Sequence, residues 1–552
     1  MGDIVRGLLE LQAQEGWLPP EGLEALASRL RVPLHRIESV STFYPHFHRS
    51  PPKPVCVRVC RDVACRLSGS GDATAALRAW AAGRDDVSIA GTSCLGRCDV
   101  APAAAIDDAT VDARDLVSIE GLAASDRREP GTRAVGTWPD ADPYVSEPGS
   151  SGGARVPADA RPGPDQPYAT LRRVLAGSRQ APIEALERAG LRGMGGAGFP
   201  TARKWSFVAA EPASVKHVIC NADESEPGTF KDRELIHDLP HLVVEGMAIA
   251  AYCVGARRGT VFIRHEYEPE RRRLAAEIER ARALGALGDG VFGSDFAFDV
   301  DVFVSPGGYI LGEETALLEC LEDRRGEPRN KPPFPGRAGL QGRPTVVNNV
   351  ETLVHAVGIV AYGPEWWQAL GREGFAGHKF MSVCGDVTRP GVSLVPSGTT
   401  FAELLERHGG MKDGAALLTF SPGGASSHFL GPEAIGVGID FDAVAAAGSM
   451  LGSGAALFVA EGRDLLDVGL SLTRFFRNES CGKCVPCRLG TAKAVEQVEK
   501  SGRVEAEDEA WLRSLDETLQ QTSLCGLGQV ALGPLLSLVS RFPERVGRSG
   551  GD

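Results

Sequence analysis

The chain has 552 residues, of which 43% are hydrophobic, so it is too long for one hydrophobic core and we expect three or four packed domains. A formal net charge of −13 gives no general electrostatic footprint for nucleic acid or for an anionic membrane. The first residues lack a signal peptide's apolar run, and no stretch reaches the about 18 apolar residues of a membrane span, so we expect a cytoplasmic protein without direct membrane insertion.

The first third of the chain is predicted to contain two small units and a linker. Amphipathic patterns predict a helical lead-in over residues 1–48. The strand-like VCVRVC at 55–60, an alanine-rich helix and a second strand, VSIA, predict a compact α/β domain over residues 49–125. Residues 126–166 are rich in Pro, Gly, Ser, Asp and Arg and cannot bury enough apolar surface to fold alone, so they are predicted to be an interdomain linker.

The rest of the chain predicts three further domains. Over residues 167–365, strands alternate with helices and glycine-rich turns, which is typical of a layered α/β domain. Short strands around one helix, FAELLERH, predict a β-grasp-like domain over residues 366–455. Residues 456–552 have a mostly helical pattern. The predicted fold class is therefore α/β and multidomain, with a helical C-terminal domain.

The strongest motif is Cys481-x2-Cys484-x2-Cys487, followed at long range by Cys525. Thirteen cysteines in such a chain indicate metal or redox use rather than disulfides. Three thiolates at this spacing wrap one corner of a cubane and a fourth closes it, which matches [4Fe–4S] ligation. The alternatives are buried free thiols and structural zinc, which usually takes its cysteines in two C-x2-C pairs.

A second set of cysteines is Cys60-x4-Cys65 and Cys94-x3-Cys98, each pair in a loop after a predicted strand. Two pairs from two loops suit a [2Fe–2S] rhomb with one pair on each iron, although spacing alone leaves a disulfide or zinc open. The other five cysteines stand alone in apolar or strand contexts and are predicted to be core residues, namely Cys56, Cys220, Cys253, Cys320 and Cys384.

The segment from Gly193 to Thr201 contains a literal G-x-G-x-x-G, which is weak evidence for dinucleotide binding by itself. It follows a predicted helix rather than a strand, and Phe199-Pro200 interrupts the helix that a Rossmann turn requires. Its bare amides can still sit against a phosphate or a flat ring, with Lys204 nearby as a cation. A plain turn is the alternative.

Two acidic, glycine-containing runs, residues 221–228 and 307–315, each follow a predicted strand. Strand ends are where α/β domains build ligand sites, and these carboxylates could accept hydrogen bonds from ribose hydroxyls or a nicotinamide amide. Each run alone is also compatible with a solvated loop.

Six segments taken in order carry a family resemblance: RGMGGAGFPTARKW, NADESEPGTFKDR, GGYILGEETALLE, NKPPFP, PTVVNNVET and ESCGKCVPCR. Over about residues 165–545 the chain resembles the FMN- and NADH-binding (51 kDa type) subunit of respiratory complex I. Its relatives include NAD-reducing hydrogenases and NAD-dependent molybdenum or tungsten formate dehydrogenases. The first part, with SVSTFYPHF and the two cysteine pairs, resembles a thioredoxin-like [2Fe–2S] protein of the 24 kDa type, joined upstream in the same chain.

The resemblance implies the cofactors FMN, NAD, [4Fe–4S] and [2Fe–2S] and their binding residues. The implied FMN residues are Gly193, Gly195, Gly196, Ala197, Lys204, Asn221, Asp223, Ser225, Tyr309, Gly312, Asn348 and Asn349. The implied nucleotide residues are Phe199, Phe207 and Phe334, which flank the nicotinamide nucleotide, and Glu226, Glu313, Glu314 and Lys331, which contact it. Glu224, in the same acidic run, is a further cofactor-binding candidate. We expect hydride to pass directly between nicotinamide and flavin, with Glu226 and Glu314 positioning the nucleotide and no catalytic acid or base.

One departure concerns Met194, which stands where complex I proteins usually have Arg. An aliphatic residue there is more similar to the formate dehydrogenase branch, and the fusion of both modules favours a soluble formate dehydrogenase or a hydrogenase diaphorase. We therefore expect the β subunit of a molybdenum or tungsten formate dehydrogenase, passing electrons from Fe–S clusters through FMN to NAD+. Its expected partner is the catalytic α subunit, or hydrogenase subunits, with further Fe–S clusters. The alternatives are the diaphorase subunit of an NAD-reducing hydrogenase, the NADH dehydrogenase module of complex I and a zinc-stabilised scaffold without redox cofactors.

Overall fold

The computed structural model describes residues 2–106, 109–114, 116 and 167–546. The chain begins with three helices, α1 (Asp3–Glu15), α2 (Pro20–Leu30) and α3 (Leu34–Ser41). The side chain of Asp323, far along the chain, accepts the backbone amides of Ile4 and Val5 at the start of α1. These bonds fix the helical lead-in to the large α/β domain. The linker predicted over residues 126–166 lies outside the described residues.

The N-terminal α/β domain is a thioredoxin-like sheet with two helices. Its elements are β1 (Val55–Cys60), α4 (Val63–Leu67), α5 (Ser70–Trp80), β2 (Val87–Thr92), β3 (Ala103–Ile106) and β4 (Ala109–Asp112). The sheet order is β2-β1-β3-β4, in which β1 runs parallel to β2 and antiparallel to β3. The loops after β1 and β2 leave the sheet at the same end because these two strands are parallel.

The large α/β domain is built on a four-stranded parallel sheet. Its strands are β5 (His217–Ala222), β6 (Arg258–Arg264), β7 (Asp299–Ser305) and β8 (Thr345–Asn349), in the order β7-β6-β5-β8. The helices are α6 (Ala169–Leu175), α7 (Gln180–Ala189), α8 (Thr201–Ala210), α9 (Lys231–Asp238), α10 (Pro240–Val254), α11 (Glu268–Ala283), α12 (Glu314–Leu321), α13 (Pro335–Ala338), α14 (Val350–Tyr362) and α15 (Pro364–Leu370). Helix α10 is apolar on all sides and buried along nearly its whole length, as expected for a central helix.

The β-grasp domain is a mixed four-stranded sheet with the order β10-β9-β12-β11. Its elements are β9 (His378–Gly385), β10 (Gly391–Pro396), α16 (Phe401–Arg407), β11 (Leu417–Ser421), α17 (Phe441–Ala446) and β12 (Ala455–Ala460). Strand β12 lies inside this sheet and pairs with β9 in parallel. The predicted boundary at residue 455 is therefore wrong, because the segment that follows it completes the sheet.

The C-terminal domain is helical, in agreement with the prediction. Its helices are α18 (Leu465–Asn478), α19 (Val485–Ser501), α20 (Ala506–Thr522), α21 (Gly526–Gln529), α22 (Gly533–Arg541) and α23 (Pro543–Val546). One continuous core of buried side chains joins the lead-in, the large domain and these helices, and the β-grasp domain adds a core of its own. None of the helices in the described part of the chain has the length and apolar character of a membrane span.

Candidate functional site

The large domain opens a crevice at the carboxyl edge of its sheet, between β5 and β8. The strand order reverses there, since β6 and β7 follow on one side of β5 and β8 lies on the other. In parallel sheets such a switch point is where ligands bind. Asn221 at the end of β5 pairs in register with Asn349 of β8. The Asn221 amide also donates to the carbonyl of Gly312 at 2.9 Å, so three predicted FMN residues meet at this edge.

The two adjacent asparagines of β8 serve different purposes. Asn348 is buried, and its side-chain oxygen accepts from Trp205 Nε1 at 2.8 Å. Asn349 is only partly buried; its oxygen caps helix α14, and its nitrogen donates to Asp232 at 2.5 Å. Asn348 therefore supports the edge of the sheet from inside the fold, whereas Asn349 lies at the crevice.

The glycine-rich segment forms a closed loop over this crevice. The amide of Gly193 donates to the carbonyl of Phe199 at 2.8 Å, and the amide of Met194 donates to Thr352 Oγ1 at 2.8 Å. The Met194 side chain is buried in the core, 6% exposed. Gly196 has a φ of +131° and no atom within 4 Å of the position a Cβ would take, so its backbone faces open space. A flat ring or a phosphate fits against such a surface.

The position of Pro200 relative to the helix after the glycine loop differs from the prediction. Helix α8 begins at Thr201, directly after Pro200, so this proline precedes the helix rather than interrupting it. Proline suits this position because its φ is preset and it has no amide that needs a partner. A Cβ on Gly195 would lie 2.9 Å from Asn349 Cβ, which explains why the close approach of loop and sheet needs a glycine.

Two carboxylates of the acidic loop after β5 are held by hydroxyl groups. Asp223 accepts from the hydroxyls of Ser225 and Ser305, and burial raises the pKa of Asp223 to about 6. Glu226 accepts from both the amide, at 2.9 Å, and the hydroxyl of Ser426 in the β-grasp domain. Burial raises the pKa of Glu226 as well. The β-grasp domain thus takes part in shaping the crevice.

Glu224, predicted among the cofactor-binding residues, is turned into the fold. Its carboxylate accepts from the amides of Asp232 and Arg233 at the start of α9 and from the hydroxyl of Tyr267. Burial, followed by the charge of Asp232, raises the pKa of Glu224 to about 8. Because these three donors occupy the side chain, the structure gives it a role in holding the loop.

Three large apolar side chains remain exposed beside the crevice: Phe199 is 41% exposed, Phe207 53% and Phe334 59%. They are the residues predicted to flank the nicotinamide nucleotide. Phe207 lies on α8 and Phe334 immediately precedes α13, and these two helices pack against each other. Exposed aromatic rings at the rim of a polar crevice are suited to stack on a planar ligand.

Charged side chains of α8, of the start of α12 and of the segment before α13 lie together. Lys331 Nζ lies 2.7 Å from a carboxylate oxygen of Glu313 and 3.5 Å from one of Glu314. Lys204 Nζ lies 3.4 Å from Glu314. Glu313 also caps α12 by accepting its first amides. The four predicted side chains therefore form one network of alternating charge.

The four predicted [2Fe–2S] ligands of the N-terminal domain are buried and adjacent to one another. Cys60 hydrogen bonds with Cys65 and with Cys94, and the sulfurs of Cys94 and Cys98 are 3.7 Å apart. These hydrogen bonds and burial raise the pKa of Cys60, while hydrogen bonds from Cys60 and Cys98 lower the pKa of Cys94. An all-sulfur donor set of this kind fits a [2Fe–2S] cluster.

The loop from Cys94 to Cys98 is held by the large domain. Gly96 has a φ of +68°, and a Cβ there would lie 2.5 Å from the Tyr267 hydroxyl, so the ring of Tyr267 packs directly on this turn. Arg264 donates to the carbonyl of Cys94 at 2.6 Å and to the carbonyl of Glu224 at 2.5 Å. One guanidinium group therefore connects a predicted cluster loop with the acidic loop of the crevice.

The other four predicted thiols meet at the C-terminal helices. Cys484 immediately precedes α19, and Cys525 immediately precedes α21, where it accepts the amides of Leu527 and Gly528. Burial raises the pKa of Cys487 to about 11 and of Cys525 to about 12. Helix α19 packs against α21, and a Cβ added at Gly528 would lie 3.0 Å from Cys487 Cβ, so the segment that begins with Cys525 lies directly against Cys487.

The arrangement of these sulfurs bears on the zinc alternative. Nowhere in residues 2–106, 109–114, 116 and 167–546 do three or more Cys, His, Asp or Glu side chains converge as ligands of a single ion. The ground for preferring iron–sulfur clusters remains the cysteine spacing, since zinc usually takes its cysteines in two C-x2-C pairs.

Tyr309 and Glu479 lie where the three parts of the site meet. The amide of Tyr309 donates to Glu479 at 2.8 Å, and Ser93, next to a [2Fe–2S] candidate ligand, donates to the same carboxylate. The Tyr309 ring packs on Phe475 with centroids 5.0 Å apart. A cavity of about 370 Å³ lies at this junction and is lined by Cys94, the Tyr309 segment and Cys481, among others.

The structure also brings in supporting side chains that sequence reasoning did not single out. They are Thr352, Ser305, Ser426, Tyr267, Arg264 and Glu479. Thr352 and Glu479 lie in the quoted segments PTVVNNVET and ESCGKCVPCR, which were the only signals that pointed to them. The other four contact residues far away in sequence, and their segments contain no motif that predicts such contacts.

Four sequence-family profiles match the chain. They are the thioredoxin-like [2Fe–2S] ferredoxin over residues 2–124, the Nuo51 FMN-binding domain over 186–357, the SLBB domain over 380–430, and the NADH-ubiquinone oxidoreductase-F iron–sulfur binding region over 467–549. These matches show that the cofactors are FMN, a [2Fe–2S] cluster and a [4Fe–4S] cluster, with NAD as the substrate.

Curated relatives match over about two thirds of the chain. The HndC subunit of the NADP-reducing hydrogenase of Solidesulfovibrio fructosivorans is 39% identical over 68% of this chain and 77% of its own length. The F subunit of the NADH-quinone oxidoreductase of Escherichia coli is 41% identical over 68% of this chain and 86% of its own. Among solved structures, a chain of the NAD+-reducing [NiFe]-hydrogenase in its H2-reduced state is similar to this chain, with a TM-score of 0.84 and 30% sequence identity. The match covers 98% of this chain and 92% of the hydrogenase chain.

Proposed function

The chain belongs to the family of FMN- and iron–sulfur-carrying NADH dehydrogenase subunits of complex I and NAD-reducing hydrogenases, and we propose that it serves a formate dehydrogenase. In this proposal it is the nucleotide-binding β subunit, and its partner is a molybdenum or tungsten α subunit. The choice of formate dehydrogenase rests on Met194, whose side chain is buried in the glycine loop. Complex I relatives usually have Arg at this position, whereas an aliphatic residue is similar to the formate dehydrogenase branch.

In the proposed site, the flavin occupies the crevice between the glycine loop and the β5/β8 edge, and the nicotinamide nucleotide lies against the exposed aromatic rings. Bound FMN supplies hydride exchange with the nucleotide and single-electron exchange with the clusters. Phe199, Phe207 and Phe334 stack on the nucleotide and exclude water from one face. Glu226, held by Ser426, orients the nucleotide, and no side chain is required as an acid or base.

The partner is proposed to dock near the C-terminal cluster. Cys481, Cys484 and Cys525 are only partly buried, whereas all four cysteines of the N-terminal set are buried. Val485 and Leu489, one turn apart at the start of α19, are 55% and 53% exposed. Exposed apolar residues beside a near-surface cluster suit contact with an electron-transfer partner.

The test is co-purification of the full chain with its associated subunits, followed by measurement of NAD+ reduction with formate and with H2 as separate donors. We expect formate-dependent reduction and a molybdenum- or tungsten-containing subunit. Reduction by H2 alone would overturn the formate dehydrogenase assignment while leaving the family assignment intact.

A second candidate is the diaphorase subunit of an NAD-reducing hydrogenase. The likeness to such a hydrogenase, which extends over 98% of this chain, favours it. The H2 arm of the same measurement, together with nickel in the associated subunit, is the outcome that would support it.

A further inference from the structure

Ser480 directly precedes the first cysteine of the C-terminal set, and its hydroxyl contacts the third. Ser480 Oγ lies 3.2 Å from the sulfur of Cys487, within hydrogen-bonding distance. The same oxygen accepts the amide of Gly482 at 3.4 Å. A serine hydroxyl has one proton to donate and two lone pairs that accept. Because the Gly482 amide occupies a lone pair, the proton of Ser480 remains available to the sulfur.

The chemical state of Cys487 decides which of the two atoms donates. Between a free thiol and a hydroxyl, either atom can be the donor. A cysteine that binds iron is a thiolate, which has no proton and can only accept, so Ser480 is the donor once a cluster is bound. Cys487 lies in the first turn of α19 and is 5% exposed, so the helix fixes its position and water competes little for this bond.

A second serine hydroxyl, that of Ser523, lies beside the same cysteine. Ser523 is two residues before Cys525 and is 7% exposed, and its Oγ has no hydrogen-bond partner among the described residues. A Cβ added at Gly528 would lie 2.6 Å from this oxygen and 3.0 Å from Cys487 Cβ, so both side chains border the same glycine. A buried hydroxyl without a partner is costly. The sulfur of a cluster held at Cys487 and Cys525 is an acceptor that would satisfy it.

We propose that Ser480 and Ser523 are positioning residues that raise the reduction potential of the [4Fe–4S] cluster, Ser480 by donating to the Cys487 thiolate and Ser523 by donating to a cluster sulfur. Reduction adds one electron, whose charge spreads onto the sulfurs. Each donor stabilises the reduced state more than the oxidised state and so raises the potential. The two hydroxyls therefore set the free energy of electron exchange between this cluster and the flavin. The inference rests on the ligand set proposed for the C-terminal domain, and it does not depend on which partner subunit the chain serves.

The experiment compares S480A, S480T and S523A with the wild type in the full chain with its cofactors. The midpoint potential of the [4Fe–4S] cluster is measured by redox titration monitored by EPR, with the [2Fe–2S] signal in the same sample as an internal reference. We expect S480A and S523A each to shift the [4Fe–4S] potential to more negative values, and S480T, which keeps the hydroxyl, to stay near the wild-type value. The control S537A removes a hydroxyl of the same domain that also accepts an amide, from Phe429, and donates to the carbonyl of Pro534, so it should change neither potential.

Several results would overturn the proposal. An unchanged [4Fe–4S] potential in either alanine variant would refute the role of that serine, and an equal shift in S480A and S480T or a parallel shift of both clusters would refute tuning by the hydroxyl. Loss of the [4Fe–4S] signal and of cluster iron from S480A would show that the residue holds the cluster rather than tunes it. Absence of a [4Fe–4S] signal from the wild type would instead refute the ligand set, whereas the expected shifts without formate oxidation would refute only the proposed partner.

Discussion

At the scale of single residues, two neighbouring glutamates show how environment separates roles that the sequence leaves equal. Glu224 has its carboxylate filled by donors from α9 and Tyr267. Glu226, two positions later, accepts from the amide and the hydroxyl of Ser426 and from the hydroxyl of Ser453, both in the β-grasp domain. The first acid is therefore held within the large domain, whereas the second connects the acidic loop to the β-grasp domain.

The first prediction concerns this second acid. E226Q should raise KM for NADH in dye reduction by about tenfold, equivalent to about 1.4 kcal/mol of lost binding, because a carboxylate that orients the nucleotide becomes a weaker acceptor. Steady-state kinetics with flavin quantification provide the measurement. The flavin content should not change, and flavin loss would show that the residue holds FMN instead. E184Q on the exposed side of α7 is the matched control.

The second prediction concerns the exposed ring of Phe334. F334A should weaken NADH binding while leaving the thermal unfolding temperature unchanged, since a side chain that is 59% exposed contributes little to the core. Titration of the oxidised protein with NAD+ or a non-reacting analogue, together with a thermal melt, measures both quantities. L284A removes another exposed apolar side chain far from the crevice and should affect neither. An unchanged affinity of F334A for the nucleotide would show that Phe334 is not part of the nucleotide site.

At the scale of elements, a buried charge cluster joins helix α14 to strand β9. Glu351 is completely buried and lies 2.9 Å from Lys231 and 2.5 Å from Lys379, and it also accepts the amide of Phe380. Although burial opposes its ionisation, the two lysines lower the pKa of Glu351 below its usual range. The β-grasp domain is therefore attached to the large domain through charge as well as apolar contact.

The third prediction follows from this cluster. E351Q should destabilise the protein by about 3 kcal/mol or more, because two buried cations lose their shared partner. A carboxylate with a lowered folded-state pKa adds stability above its unfolded pKa and loses it as the pH falls. The difference in the free energy of unfolding between variant and wild type should therefore become smaller below about pH 4.3. Denaturant unfolding of both proteins at pH 7 and at lower pH values measures this difference. The control E365Q, which breaks an exposed ion pair with Arg188, should lower the free energy of unfolding much less.

The same elements show what the sequence could and could not predict. The strands with continuous apolar runs, β5 to β7, and the helices flanking the glycine loop follow from hydrophobic pattern. Strand β12 was placed outside its sheet because its parallel pairing with β9 joins residues 73 positions apart in sequence, and no local signal encodes such pairing. The motif residues were predicted through the resemblance, but their supports, such as Ser426, come from other domains.

At the scale of the whole molecule, the two cluster sites are built by different parts of the chain and meet only at their edges. The N-terminal thiols are enclosed by the sheet of their own domain, the loop on Tyr267 and strand β9. The C-terminal thiols lie at the starts of α19 and α21, nearer the surface. Glu479 is the shared point, since it accepts from Ser93 on one side and from the Tyr309 amide on the other.

This separation leads to the last prediction. C484A removes one of the four C-terminal sulfurs, so it should abolish the [4Fe–4S] EPR signal and transfer to a protein partner. The buried N-terminal thiols and the crevice keep all their contacts, so the [2Fe–2S] signal, the flavin content and NADH-driven reduction of a small dye should persist. EPR of the reduced protein and parallel assays with dye and partner measure this. The control C320A removes a buried thiol of α12 that belongs to neither set. Simultaneous loss of both EPR signals in C484A, with C320A intact, would show that the two sites assemble as one unit, contrary to the structure.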